Sequence, residues 1–164
     1  MGLSLDIGCG AHKHPAALGA DRRILPGVAV VCDLEQGLPF REGSVMSVYL
    51  HNIVEHMDDL IVFMEELYRV REPGAKVYAR APWYASCEAL VDSTHVRYIT
   101  EATFEYFDCP NYYGLKTNFK VRFTYFKMRG AFWFMPAYFQ KRFRRYLWNA
   151  CTEIDIELEA IKPF

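Results

Sequence analysis

A glycine turn followed by spaced acids is the feature of this sequence most able to do chemistry. Gly-Cys-Gly at 8–10 directly follows the apolar run 3–7, and acids follow at Asp21 and Asp33. Glycines let the backbone turn tightly and let a ligand approach it closely. Carboxylates accept hydrogen bonds from hydroxyl and amino groups. The pattern therefore predicts a site for a nucleotide-like ligand at the end of a strand.

The spacing of these residues distinguishes between two cofactors. A dinucleotide site has a third glycine three residues after the second, and an acid about 20 residues further on. Here Lys13 occupies the third glycine position, and Asp21 follows Gly8 after only 13 residues. S-adenosyl-L-methionine has no pyrophosphate, and it needs a glycine turn for its methionine part and acids for its amino group and ribose. Because Asp6, Asp21 and Asp33 occur in that order, the spacing favours S-adenosyl-L-methionine over NAD.

Strands and helices in alternation must position these residues. The runs 28–32 and 45–50 predict buried strands, and the apolar period over 53–71 predicts a helix that Pro73-Gly74 ends. Later segments predict strands at 76–81, 118–128 and 153–161, and helices at 100–107 and 136–148. Such alternation indicates an α/β fold with a mostly parallel sheet.

Length and composition limit the class of protein. The 164 residues, of which 52% are hydrophobic and 24% charged, predict one domain over 1–164. No apolar run is long enough to span a membrane, and the N-terminus lacks the basic flank of a signal peptide, so we expect a cytoplasmic protein. The five cysteines are odd in number and widely spaced, and the five histidines are scattered. We therefore expect reduced thiols and no metal site.

Basic residues are concentrated in the C-terminal third of the chain. No acid occurs from Cys109 to Thr152, although the formal net charge is only -1. This asymmetry fits either an anionic substrate, partner or surface, or a solvated basic face. Within it lies a basic aromatic insert at about 130–150. That insert fits three roles, namely covering the site, dimerisation, and contact with an anionic membrane surface.

Several motifs together resemble class I S-adenosylmethionine-dependent methyltransferases, of the small, type 11-like kind. LDIGCG (5–10), GAD (19–21) and VVCDLEQGLPF (30–40) are similar to the first motifs of that family. Residues 44–84, with Val-Glu-His at 54–56, are similar to its fourth strand, helix and fifth strand. The resemblance implies a Rossmann-like, mostly parallel seven-strand sheet with its last strand antiparallel. Two departures are expected, a shortened first crossover and no N-terminal cap helices.

The resemblance also implies a role for each candidate site residue. It implies that the methionine end of the cofactor lies at Asp6, Gly8, Cys9 and Gly10, with Lys13 at the mouth of the site. It implies a ribose contact at Asp21 and an adenine contact at Asp33 and Leu34. His51 and Asn52 would lie beside the methyl group. If the acceptor must lose a proton, His51 is the first candidate base and His95 the second, whereas His56 is more typical of a structural residue. Candidate acceptor-pocket aromatics, each of which is individually more typical of core or dimer packing, are Trp83, Tyr84, Tyr98, Tyr112 and Tyr113.

These expectations predict an enzyme, an S-adenosylmethionine-dependent methyltransferase acting on a small anionic metabolite. The expected partners are a small-molecule acceptor and, as an option, a second copy of the chain. One alternative is a non-catalytic methyltransferase-like binding protein that uses its basic aromatic segment. A nucleic-acid methyltransferase is a weaker alternative, because the overall charge is not basic and no nucleic-acid motif occurs.

Overall fold

One seven-stranded sheet organises the chain in the computed structural model, which describes residues 2–108 and 114–161. The strand order is β3-β2-β1-β4-β5-β7-β6. The strands are β1 Leu3–Ile7, β2 Leu18–Asp21, β3 Val28–Val31, β4 Val45–His51, β5 Arg71–Pro82, β6 Phe119–Met128 and β7 Cys151–Ala160. The α-helices are α1 Leu60–Val70, α2 Cys87–Val91, α3 Glu101–Glu105 and α4 Ala137–Tyr146.

The directions of the strands confirm the predicted α/β, Rossmann-like architecture. All pairs among β1 to β5 are parallel. The last strand, β7, runs antiparallel to both of its neighbours, β5 and β6. The strand order reverses beside β1, and this is the point at which open α/β sheets bind ligands.

The first crossover is as short as the sequence predicts. Residues 8–17 connect two parallel strands through turns alone, with no helix. A connection between parallel strands ordinarily needs a dozen or more residues. Here the His14 ring stacks on Tyr49 with 4.0 Å between centroids, and Tyr49 stacks on Tyr78 at 5.2 Å. These stacked rings lie on the sheet face that a crossover helix would otherwise cover.

The helix predicted over 53–71 begins later than predicted, at Leu60, whereas its C-terminal end agrees within one residue. A 3₁₀ helix forms at Val54–His56, and the chain then extends before α1 begins at Leu60. Asp59 starts α1, because its carboxylate accepts a hydrogen bond from the Val62 N–H at 3.0 Å. The helix ends at Val70, and β5 starts directly at Arg71 through pairing with β4. Pro73-Gly74 therefore lies inside the strand and not at the helix end.

The C-terminal half follows the predicted elements closely. Thr100 and Thr103 form a capping box at the start of α3. The insert at about 130–150 folds as a 3₁₀ helix, Gly130–Phe134, followed by α4, in which no residue is buried. Helix α2 is not predicted by the sequence, and it is capped by Ser86, whose hydroxyl accepts from the Ala89 N–H. Within residues 2–108 and 114–161, no helix combines the length and the hydropathy that crossing a membrane requires.

Candidate functional site

A cavity of about 640 Å³ opens at the carboxyl ends of the first four strands. Its volume lies within the range of about 300–1,000 Å³ that is typical of small-molecule sites. Five of the residues predicted to bind a cofactor line it, namely Gly8, Asp21, Asp33, Leu34 and Asn52. The topology therefore brings together residues that are up to 44 positions apart in the sequence.

Gly8 occupies a position that only glycine fits. Its φ angle is +67°, in the left-handed region. A Cβ added there would lie 1.9 Å from the side chain of Ile53, which also lines the cavity. The end of β1 thus packs directly against the segment that follows β4.

Asp21 is buried, and each of its two carboxylate oxygens accepts a hydrogen bond from a backbone N–H. One carboxylate oxygen accepts from the Gly10 N–H at 2.9 Å, and the other accepts from the Arg23 N–H at 2.9 Å. Burial raises the pKa of the carboxyl, but the hydrogen bonds from Arg23 and Gly10 outweigh it and hold the pKa below its ordinary value. The group is therefore ionised at neutral pH. Each carboxylate oxygen can accept a further hydrogen bond from a ligand hydroxyl.

Asp6 and Lys13 brace the crossover instead of lining the cavity. The Asp6 carboxylate accepts from the His14 N–H at 2.6 Å. The Lys13 ammonium donates to the carbonyl oxygens of His14 and Ala17 at 2.9 and 2.7 Å. These bonds hold residues 8–17 in place without a helix, which is a structural role at two predicted cofactor contacts.

Cys9, Asp33 and Asn52 each lie in a loop that directly follows a strand. Cys9 is buried, and burial raises the pKa of its thiol. The Asp33 carboxylate accepts from the Glu35 N–H at 3.1 Å and so caps the 3₁₀ helix Leu34–Gln36. Asn52 adopts a φ of +54°, which turns the chain sharply after β4 and brings its side chain to the cavity.

His51 does not reach the cavity, in contrast to its predicted place beside the methyl group. It lines a second cavity of about 350 Å³ together with His14, Tyr49, Tyr78 and Arg80. Successive side chains of a strand point to opposite faces of the sheet. His51 therefore shares the face of Tyr49, whereas Asn52 has already left the strand. The structure separates the two predicted candidate bases.

His95, the second candidate base, lies in a cluster with Glu55 and His56, which we call the Glu-His-His cluster. One ligand-type atom from each residue lies within 4.8 Å of the other two. Glu55 is 1% exposed, and burial raises its pKa to about 7. Glu55 was not among the residues predicted for the site. Its only signal was the Val-Glu-His motif, because burial of an acid cannot be read from residue types.

The aromatic residues at the end of β5 hold the basic insert in place. Trp83 donates from its indole N–H to the Arg144 carbonyl at 3.0 Å, and the Tyr84 hydroxyl donates to the Arg145 carbonyl at 3.1 Å. Trp83 is buried, whereas Tyr98 is 62% exposed. Two further predicted pocket residues, Tyr112 and Tyr113, lie outside the described residues.

The insert presents an aromatic and basic surface at the same edge of the sheet as the cavity. Its exposed aromatic side chains are Trp133, Phe134, Tyr138, Phe139, Tyr146 and Trp148. Its exposed basic side chains are Lys141, Arg142 and Arg145. Arg144 is held apart from these, with its guanidinium 3.7 Å from the centre of the Phe126 ring.

Comparison with known proteins links this site to a family. Residues 14–79 match the family model described as a methyltransferase domain. Among curated proteins, none matches the sequence.

Solved structures share the fold along nearly the whole chain. A SAM-dependent methyltransferase from Archaeoglobus fulgidus is 15% identical with a TM-score of 0.62, and the match covers 96% of this chain and 86% of that one. A SAM-dependent methyltransferase from Mesorhizobium loti is 15% identical with a TM-score of 0.57, and the match covers 96% and 90%. A methyltransferase from Haloferax volcanii, solved with the Trm112 methyltransferase activator, is 15% identical with a TM-score of 0.61, and the match covers 98% and 83%.

Proposed function

We propose that the chain is an S-adenosylmethionine-dependent methyltransferase and that it transfers the methyl group of this cofactor to a small anionic acceptor; the match of residues 14–79 to a methyltransferase-domain model supports this. The observation that carries the proposal is the joint placement of Gly8, Asp21, Asp33 and Asn52 around one cavity at the switch point of the sheet. The partial family match and the shared fold support the enzyme class, and the acceptor is our inference.

The residues present fit S-adenosyl-L-methionine. The backbone at Gly8 offers a close approach, because no Cβ projects there. The ionised carboxylate of Asp21 accepts hydrogen bonds from ribose hydroxyls. Asp33 provides an acceptor for an adenine amino group, and Leu34 provides apolar contact beside it. This set of donors, acceptors and apolar surface matches the parts of the cofactor in order.

Catalysis by these residues consists mainly of positioning. Bound cofactor would supply an electrophilic methyl group, and the residues that line the cavity would hold the cofactor. Holding a donor and an acceptor in line removes much of the entropic part of a barrier. His56 and Asp92 line the cavity. We infer that they and the adjacent His95 face the acceptor.

Basic side chains around the mouth of the cavity support an anionic acceptor, although the lining also carries the acids Asp21, Asp33, Glu35, Asp58 and Asp92. Arg22 and Arg23 line the cavity and are exposed. The exposed basic side chains of α4 lie at the same edge of the sheet, where Trp83 and Tyr84 hold the insert. The surface of α4 carries basic but no acidic side chains, and a surface of one sign attracts ligands of the opposite sign. We further infer a cytoplasmic protein with one domain over 1–164, and a homodimer stays a prediction.

Binding of the cofactor tests the proposal directly. Titration calorimetry should detect S-adenosyl-L-methionine and S-adenosyl-L-homocysteine. Asp21→Asn should weaken both affinities about tenfold or more, because it removes a charged acceptor. Glu105→Gln removes an exposed charge on α3 and should leave both affinities unchanged. A folded protein that binds neither ligand at millimolar concentration would refute the function.

A non-catalytic binding role is the second candidate, and the exposed aromatic and basic surface of the insert favours it. Cofactor binding without turnover on a broad panel of anionic acceptors would support this alternative. A nucleic-acid acceptor is the third candidate. It requires RNA or DNA affinity that falls steeply with salt, and absence of such binding eliminates it.

A further inference from the structure

The Glu-His-His cluster lies beside the cavity, where hydrogen bonds join two loops. Glu55 and His56 belong to the 3₁₀ helix after β4, and His95 belongs to the loop after α2. The Val96 N–H donates to the Glu55 carbonyl at 2.9 Å. The Arg97 guanidinium donates to the carbonyl oxygens of Met57 and Asp58. The relative position of the three side chains is therefore fixed by the backbone.

The Glu55 carboxylate lacks a partner that its burial requires. Neither of its side-chain oxygens has a hydrogen-bond partner among residues 2–108 and 114–161. Buried polar groups are nearly always hydrogen-bonded, and a buried charge is usually paired or coordinates a metal. The nearest group of possible positive charge is the Nε2 atom of His95, at 4.0 Å. That distance is too long for a hydrogen bond, and it leaves space between the two groups.

The two histidines are oriented as metal ligands commonly are. The Nδ1 atom of His95 lies 3.0 Å from the Ala89 carbonyl oxygen. The Nδ1 atom of His56 lies 3.2 Å from the Thr94 carbonyl oxygen and 3.0 Å from the Thr94 hydroxyl oxygen, whose own proton is donated to Asp92 at 2.6 Å. A carbonyl only accepts, so each Nδ1 must carry the proton to form these bonds. Each Nε2 is then left with a free lone pair. Metal-bound histidines are held by this arrangement of a second hydrogen bond to a carbonyl or carboxylate.

The size of the cluster suits an ion. Because the three ligand atoms lie within 4.8 Å of one another, a point at their centre is at most about 2.8 Å from each. Zinc binds imidazole nitrogen at about 2.0–2.1 Å and carboxylate oxygen at about 2.0–2.2 Å. Side-chain movements of less than about 1 Å therefore complete the coordination.

We propose that Glu55, His56 and His95 bind a divalent transition-metal ion, with zinc(II) the best match, beside the cavity. Two imidazoles and one carboxylate suit zinc and its first-row neighbours, whereas magnesium prefers an oxygen shell. Three protein ligands leave a position open, as in catalytic zinc sites. His56 lines the cavity, so the open position is accessible from it. The sequence predicted no metal site, because these ligands come from loops 39 residues apart.

A metal ion at this site would favour an acceptor that carries a hydroxyl or thiol group. An acceptor hydroxyl or thiol on the open position of the ion loses its proton more readily, since a bound metal lowers the pKa of a ligated oxygen. This last step rests on the proposed methyl transfer. The binding of the ion does not depend on it.

Metal titration of the whole chain tests the proposal without any acceptor. The protein is stripped with a chelator, and Zn²⁺ or Mg²⁺ is titrated by calorimetry in a Cys87→Ser background, which removes an exposed thiol. We expect one Zn²⁺ per chain and no detectable heat from Mg²⁺. Glu55→Gln and His95→Ala should each weaken Zn²⁺ binding by about tenfold or more. His12→Ala removes an exposed imidazole elsewhere and should change nothing.

A spectroscopic readout keeps the test valid if a variant fails to fold. Co²⁺ bound to the unsubstituted cluster should give visible absorption bands of a four- or five-coordinate nitrogen and oxygen site, and Zn²⁺ should abolish them. Absence of stoichiometric Zn²⁺ binding, or equal loss in His12→Ala and Glu55→Gln, would overturn the proposal. Affinity for S-adenosyl-L-methionine, measured on the same samples, separates this result from failure of the proposed function.

Discussion

The Asp21 carboxylate accepts a hydrogen bond from the Gly10 N–H at 2.9 Å, so the acid at the end of β2 and the glycine turn after β1 form one structural unit. The second oxygen of Asp21 fixes the next turn through the Arg23 N–H. A residue expected to contact ribose therefore also shapes the loop that receives the cofactor. Loss of its charge should affect both stability and binding.

The stability contribution of Asp21 should depend on pH. Its folded pKa lies below the ordinary value of 3.8, so its contribution is complete above that value and disappears as the pH falls through the folded pKa. We expect Asp21→Asn to lower the free energy of unfolding by about 2 kcal/mol at pH 7, the scale of hydrogen bonds to a charged group. Urea unfolding at pH 7 and pH 3 measures the difference, which should shrink in acid. A constant difference would contradict this assignment.

Replacement of Gly8 should cost more than replacement of another glycine in the same region of φ. Gly8→Ala combines a φ of +67° with a Cβ 1.9 Å from Ile53, and it should lower the free energy of unfolding by about 3 kcal/mol. Gly74→Ala has a similar φ of +76° but meets nothing within 4 Å, and it should cost about 1 kcal/mol. Denaturant unfolding of both variants provides the measurement. Equal costs would show that the contact with Ile53 relaxes.

The cysteines should differ sharply in their reactivity. Cys151 is fully buried, and burial raises its pKa to about 12, so only about one molecule in ten thousand carries the thiolate at pH 8. Cys87 is exposed. Iodoacetamide at pH 8, followed by peptide mass analysis, should label Cys87 first and leave Cys151 unmodified until the protein is unfolded. Early labelling of Cys151 would mean that the edge formed by β6 and β7 opens readily.

The sequence predicted the sheet, the short crossover and five residues of the cavity, because strand ends and turn residues have local signals. It failed where the outcome depends on contacts between distant segments. The start of α1 was misplaced because the Asp59 cap overrode an apolar period that continued through Ile53. Glu55 and His95 were not paired, because only the fold brings their two loops together. Lys13 was assigned to a ligand, whereas two nearby carbonyl oxygens hold it.

The adjacent residues His51 and Asn52 should differ in their effect on the cofactor. His51 lines the second cavity and not the main one, so His51→Ala should leave the affinity for S-adenosyl-L-methionine unchanged. Asn52 lines the main cavity with a φ of +54°, so Asn52→Ala should weaken binding by about tenfold through lost polar contact and backbone strain. Asn52→Gly relieves the strain alone and should recover part of that loss. Calorimetry on the three variants makes the comparison. Weakened binding in His51→Ala with full binding in Asn52→Ala would place the cofactor in the second cavity, against the aromatic stack of Tyr49 and Tyr78.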